Sequence, residues 1–117
     1  MRRLFLLSLL VLFLLQGTLF AQNSLERLET SPRHHEWVKI NTNTNEINSF
    51  LVYPEVSEKV PVVVLIHENR GLNDWARSMA DQIAEMGYIA IAPDFLSGTA
   101  PNGGGTIDYE NSDDART

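Results

Sequence analysis

The chain opens on an apolar block. Residues 4–15 are apolar apart from Ser8, with Arg2 and Arg3 before them and the more polar Gln16-Gly17-Thr18 after them, then Phe20-Ala21. A positive start, a short apolar run and a small residue before a cut make up a secretory signal. The run is too short to cross a bilayer, which takes about 20 apolar residues. The expectation is a cleaved signal peptide over residues 1–21, with an uncleaved anchor as the alternative. Arg2-Arg3 ahead of Leu4-Phe5-Leu6 also resembles a twin-arginine signal, although so apolar a run favours the general secretory route.

After the leader the rhythm changes three times. Residues 22–35 are polar around a lone Leu25/Leu28 pair and read as a mobile or weakly helical leader. Residues 36–40 (EWVKI) and 46–53 (EINSFLVY) are rich in β-branched and aromatic side chains, and NTNTN lies between them. Asn and Thr compete for local backbone groups and favour turns, so the pair predicts an antiparallel hairpin. Residues 62–66 (VVVLI) form an unbroken apolar run, the pattern of a central parallel strand buried on both faces. Helical spacing follows. Asn73 or Asp74 is suited to the N-cap. Trp75, Met79, Ile83 and Met86, with Ala76, Ala80 and Ala84, predict an apolar stripe against a sheet, leaving Arg77, Asp81, Gln82 and Glu85 toward water. Gly87 stands where a left-handed helix cap belongs. Residues 88–92 (YIAIA) predict a second buried strand, closed by Pro93.

The fold class implied is α/β: an antiparallel hairpin followed by a βαβ unit, occupying residues 36–98. Residues 99–117 contain Gly103-Gly104-Gly105 and four acids and predict a flexible tail. A doubly wound sheet needs helices on both faces, and only one convincing helix is present. The segment therefore reads as part of a larger fold.

Charge and composition narrow the partners. Nine Lys/Arg against fifteen Asp/Glu give a net charge of −6, and loss of Arg2 and Arg3 with the leader makes the rest more acidic. Such a surface repels phosphates and anionic headgroups, so neither nucleic acid nor a stable membrane association after signal cleavage is expected. There is no cysteine, which excludes disulfides, thiolate metal sites and a cysteine nucleophile within these residues.

Candidate chemistry concentrates in His67-Glu68-Asn69-Arg70-Gly71, the polar loop leaving the first buried strand of the βαβ unit. In open α/β sheets ligands bind at this carboxyl edge. HENRG, the amphipathic helix and the Pro93-Asp94 strand end together resemble the front part of a dienelactone hydrolase, an α/β-hydrolase family. The resemblance runs from the hairpin to Gly98. It implies hydrolysis of a small ester or lactone through an acyl-enzyme, without metal or organic cofactor. It assigns Glu68 as a carboxylate supporting the nucleophile, Asn69 as the donor of an oxyanion-hole backbone N–H, Gly71 as the turn glycine and Asp94 as the acid of the Pro-Asp pair. Arg70 is a candidate for holding an anionic substrate. Two departures stand out. Leu96, Ser97 and Gly98 occupy the region where family members acting on dienelactone carry an arginine. The nucleophile elbow, catalytic acid and catalytic histidine all come later in the family's order, so none maps onto these residues.

Each of these residues has a plainer reading. Glu68 and Arg70 can be ion-paired loop residues, His67 a packing histidine, Asp94 a brace for its own loop, and Trp75 and Met79 core. His34-His35-Glu36 would point its imidazoles to opposite strand faces, and His67-Glu68 lacks the second histidine of H-E-x-x-H, so no metal is expected. Two functions follow. One is a piece of an exported hydrolase, periplasmic or secreted, inactive by itself. The other is a small exported non-catalytic module that binds a ligand or partner. A nucleophile elbow encoded beyond Thr117 discriminates them.

Overall fold

Four strands, two α-helices and three short 3-10 turns make up the regular structure in the computed structural model, which describes residues 23–111 and 113–116. The expected signal peptide lies outside the described residues. Strand β1 (His35–Asn41) pairs antiparallel with β2 (Glu46–Val52), and Trp37 sits opposite Phe50. The Thr42 hydroxyl closes the hairpin by accepting from the Asn45 and Thr44 N–H groups, which is why a polar NTNTN run turns the chain. Strand β3 (Val62–Val64), helix α2 (Asp74–Glu85) and strand β4 (Ile89–Pro93) form the βαβ unit, with β3 and β4 parallel. The sheet order is β1-β2-β4-β3, and β2 meets β4 antiparallel. Helix α1 (Ser24–Thr30) lies within the polar leader and packs on α2.

Helix α2 begins where its cap permits. The Asn73 side chain accepts from the Ala76 N–H at 3.0 Å, and Gly87 ends the helix at φ +94°. The buried stripe is narrower than the sequence pattern implies. Ala76, Ala80 and Ala84 face Ala90 and Ala92 of β4 and Phe50 and Val52 of β2. Alanines four apart let the helix backbone settle close to the sheet, which leaves no room there for the large side chains. Trp75 and Met86, expected against the sheet, are 56% and 67% exposed, and Met79 is half-buried. Arg77 does not face water freely either: its guanidinium lies 5.8 Å from the Trp37 ring centre and 5.7 Å from that of Phe50.

Two further expectations are corrected. The 62–66 run is not central in the described sheet. Its strand pairs only with β4, and α2 covers only one face, so Val62, Val64 and Ile66 are exposed on the other. Asp81, expected toward water, has no exposure at all. It accepts from Arg33 Nε and Nη2 at 2.9 and 2.7 Å, from Arg27 Nε at 3.1 Å and from Ser31 Oγ at 2.5 Å, and it meets His35 Nε2 at 2.9 Å. Four residues of the leader and the start of β1 are thereby fastened to α2. A helical pattern cannot reveal this, because the partners of Asp81 lie some fifty positions away.

Candidate active site

The loop between β3 and α2 sits at the carboxyl end of β3. Its centre is a tight turn in which the Gly71 N–H donates to the Glu68 carbonyl at 3.0 Å. Glu68, Asn69 and Arg70 all project into solvent there. Gly71 has φ +74°, and a Cβ at that position would strike Thr106 Oγ1 and Cγ2 and Leu96 Cδ1. Glycine is required for both conformation and space. Arg70 Nε lies 3.3 Å from Asp113 Oδ1, with both side chains about half exposed. The first turn of α2 follows at once, so the turn precedes a helix N-terminus, where unpaired N–H groups favour negative charge.

His67 and Asp94 stand directly behind this turn. The His67 side chain is 6% exposed. Its Nδ1 lies 2.7 Å from the Glu68 carbonyl oxygen, and its Nε2 accepts from the Phe95 N–H at 3.0 Å. A carbonyl only accepts and an amide N–H only donates, so both bonds are met by the neutral imidazole with its proton on Nδ1. His67 thus has no nitrogen left over for a substrate. Asp94 is 2% exposed. Its carboxylate accepts from the Thr106 N–H at 2.7 Å, the Thr106 hydroxyl at 2.7 Å and the Leu96 N–H at 3.0 Å. The neighbouring Ser97 is spent on structure: its hydroxyl donates to the Asp94 carbonyl at 2.5 Å and accepts from the Asn48 N–H at 3.0 Å.

The glycine-rich stretch approaches this site instead of trailing from it. Gly105 and Thr106 are buried against Asp94, and Thr106 Oγ1 also accepts from the Leu72 N–H at 2.9 Å. No sequence signal marks Thr106. It sits among glycines and acids and acquires its partners only when β4 delivers Asp94 to the same sheet end. Beside Glu68 lies a cleft of about 320 Å³, lined by Leu65, Trp75 and Met79. The side chains expected as core there form one wall of it. A larger groove of about 480 Å³ is lined by Trp75, Arg77, Ile107 and Tyr109 and does not include Glu68. The paired histidines at the start of β1 serve different carboxylates, His34 meeting Glu36 and His35 meeting Asp81.

The arrangement can hold a developing negative charge. Glu68, Asn69 and Arg70 are exposed at a tight turn, a helix N-terminus follows, and Glu68, without an ion pair among the described residues, flanks an apolar cleft. It places Glu68, Asn69 and Arg70 together, and it keeps His67 and Asp94 behind them as support.

Comparison with known proteins bears on the family and the fold. Over 53 residues the chain is 51% identical to a candidate hydrolase fragment of Escherichia coli strain K12, covering 44% of this chain and 45% of that protein. It is 34% identical over 64 residues to a candidate carboxymethylenebutenolidase of Synechocystis, covering 55% of this chain and 26% of the relative. A lactonase candidate of Bradyrhizobium is 29% identical over 62 residues, 53% of this chain and 25% of the relative. The chain therefore spans between a quarter and half of the curated relatives it matches. The crystal structure of a candidate dienelactone hydrolase from Klebsiella pneumoniae superposes with a TM-score of 0.54 at 21% identity, covering 68% of this chain and 32% of that one. That likeness establishes the fold as part of an α/β-hydrolase sheet. The dienelactone hydrolase profile matches residues 47–117, more than half of the sequence. The chain belongs to the dienelactone hydrolase family.

Proposed function

We propose that this chain supplies the oxyanion side of the active site of an exported, periplasmic or secreted, carboxylic ester or lactone hydrolase. The observation that carries the reading is the Glu68–Gly71 turn. It is exposed at the carboxyl end of β3 and leads into α2, in a chain of this family. In acyl transfer the attacked carbonyl oxygen gains negative charge, and a preorganised backbone N–H stabilises it without rearranging. The Asn69 N–H fills that role. The Glu68 carboxylate beside it sets the protonation of the nucleophile. The nucleophile, its histidine and its acid come from polypeptide outside these 117 residues, so residues 22–117 alone turn over no ester. A small ester or lactone is the substrate class, and the lactonase candidate among the relatives favours a lactone. Leu96, Ser97 and Gly98 offer no cation for a substrate carboxylate, which argues against dienelactone itself.

The test is turnover of activated short-chain esters and simple lactones by the complete polypeptide expressed from its gene. Glu68→Gln keeps shape but removes charge, and it is expected to lower turnover by roughly 100-fold with the thermal midpoint unchanged. Asn69→Ala keeps the backbone donor and is expected to be milder. Wild-type turnover by Glu68→Gln, together with a lowered thermal midpoint, would make Glu68 a structural loop residue and reject the reading.

A further inference from the structure

The four-residue turn at Glu68–Gly71 has three exposed side chains and one internal hydrogen bond, from the Gly71 N–H to the Glu68 carbonyl. A turn with so little of its own to hold it would be expected to open readily. Its two ends, however, are both fastened to the residues that follow β4. At the first end the His67 imidazole bridges the Glu68 carbonyl, at 2.7 Å, and the Phe95 N–H, at 3.0 Å. At the other end the Thr106 hydroxyl bridges the Leu72 N–H, at 2.9 Å, and the Asp94 carboxylate, at 2.7 Å.

The second bridge has a fixed direction. Asp94 accepts from the Thr106 backbone N–H and the Leu96 N–H as well, and an ionised carboxylate offers acceptors only. The Thr106 proton must therefore point at Asp94, which turns the hydroxyl lone pairs toward Leu72. Thr106 is 6% exposed and Asp94 2%. Away from water, hydrogen bonds of this kind are strengthened and hold their geometry. Thr106 also abuts Gly71, where a Cβ would collide with it. The turn is therefore gripped at both ends and packed from beneath.

Building on the active-site reading above, we propose that His67, Asp94 and Thr106 are positioning residues. They lock the Glu68–Gly71 turn so that the Asn69 N–H and the Glu68 carboxylate keep one orientation toward the reacting carbonyl. Both ring nitrogens of His67, the Thr106 hydroxyl and the Asp94 carboxylate are taken up by these contacts. Their effect passes through the turn.

The experiment uses the complete polypeptide and three variants, with two readouts. Thr106→Val keeps the volume but removes the hydroxyl, and Thr106→Ser restores it. His67→Phe keeps the ring against Phe95 but removes both polar contacts, and so reads the grip from the other end should Thr106→Val not fold. Hydrogen-exchange mass spectrometry follows the peptide carrying residues 68–72. In Thr106→Val its amides are expected to exchange ~10-fold faster or more, with α2 and β2 unchanged. The kcat for a short-chain ester is expected to fall by ~10-fold with KM within ~2-fold, because a donor needed in the transition state is misplaced while ground-state binding is kept. Thr106→Ser should recover both. Unchanged exchange of the 68–72 peptide in folded Thr106→Val overturns the grip. Faster exchange with unaltered kcat overturns the positioning role. An inactive wild type would instead defeat the hydrolase reading, and exchange would still decide whether the grip exists.

Discussion

A carboxylate cut off from water must either be neutral or be heavily bonded, and Asp81 is heavily bonded. Burial on its own would push its pKa up. The hydrogen bonds from Arg33, Ser31 and His35, with the Arg33 charge, more than offset this and hold it well below the usual carboxylate range. The same pairing raises Arg33, against the opposing effect of its own burial. Because the folded-state pKa of Asp81 is depressed, its stabilisation is fully present above the unfolded carboxylate value of about 4 and is lost as pH falls toward the folded value. Asp81→Asn strips Arg33 of its paired carboxylate and leaves Arg27 with Glu85 alone, at 2.6 Å. It is expected to cost about 3 kcal/mol near pH 7, the lower end for a broken buried pair, because Arg27 keeps some exposure. Urea denaturation at pH 7 and pH 3 checks this: the gap between wild type and variant should narrow at the lower pH. Trypsin should also cut faster at Arg27 and Arg33 in the variant, since α1 is then held only by the Arg27–Glu85 pair and the packing of Leu28. A gap that is constant with pH would mean that the carboxylate charge is not what fastens the leader.

At the scale of elements, α2 shows both what a sequence pattern carries and where it stops. The helix, its Asn73 cap and its Gly87 terminus were legible because capping is local chemistry. The hairpin and the β3-α2-β4 succession were legible for the same reason, since period-2 and period-3.6 patterns are written within a few residues. Which part of the apolar stripe would be buried was not legible. Trp75, Met79 and the three alanines all satisfy a helical period, and only the facing Ala90 and Ala92 decide that the small residues go inward. That β3 pairs only with β4 in the described sheet was hidden for a related reason, because strand order depends on partners distant in sequence. The turn at Glu68 could be read from HENRG, whereas its support by Thr106 could not. The alanine interface gives a sharp expectation. Ala80→Leu inserts three carbons where Ala80 has no exposure and should destabilise by about 1–3 kcal/mol through overpacking. Thermal and urea unfolding measure it. A neutral or stabilising result would show a gap between α2 and β4 that the alanine contacts do not suggest.

For the molecule as a whole, the two sheet faces are unequal. Phe50, Val52, Ala90 and Ala92 lie under α2 and form the core. On the opposite face the strand register aligns Leu51, Ile91 and Val64 in one row and Ile89 with Val62 in the next. Among the described residues no helix covers those rows, and Val62, Val64 and Ile66 are 58%, 59% and 73% exposed. Strand β3 also has one backbone edge without a strand neighbour in the described sheet. An apolar face beside an open edge is a template for pairing with another chain. Residues 22–117 hold seven Lys/Arg against fifteen Asp/Glu, a net charge of −8 that opposes association, but salt screens charge beyond about 8 Å at physiological ionic strength and leaves the apolar contact untouched. Residues 22–117 produced alone are therefore expected to self-associate or precipitate, increasingly so as salt is raised. Size-exclusion chromatography with light scattering measures this directly. Val64→Lys places a charge at the end of the exposed row, on the strand with the open edge, and is expected to shift the population toward monomer without disturbing the face under α2. A sharp monomer peak for the unaltered segment, with cooperative thermal unfolding, would show that the small alanine-lined core suffices and that the second face tolerates water. Self-association that Val64→Lys leaves unchanged would place the contact elsewhere, with the exposed Trp75 beside the cleft the next surface to alter.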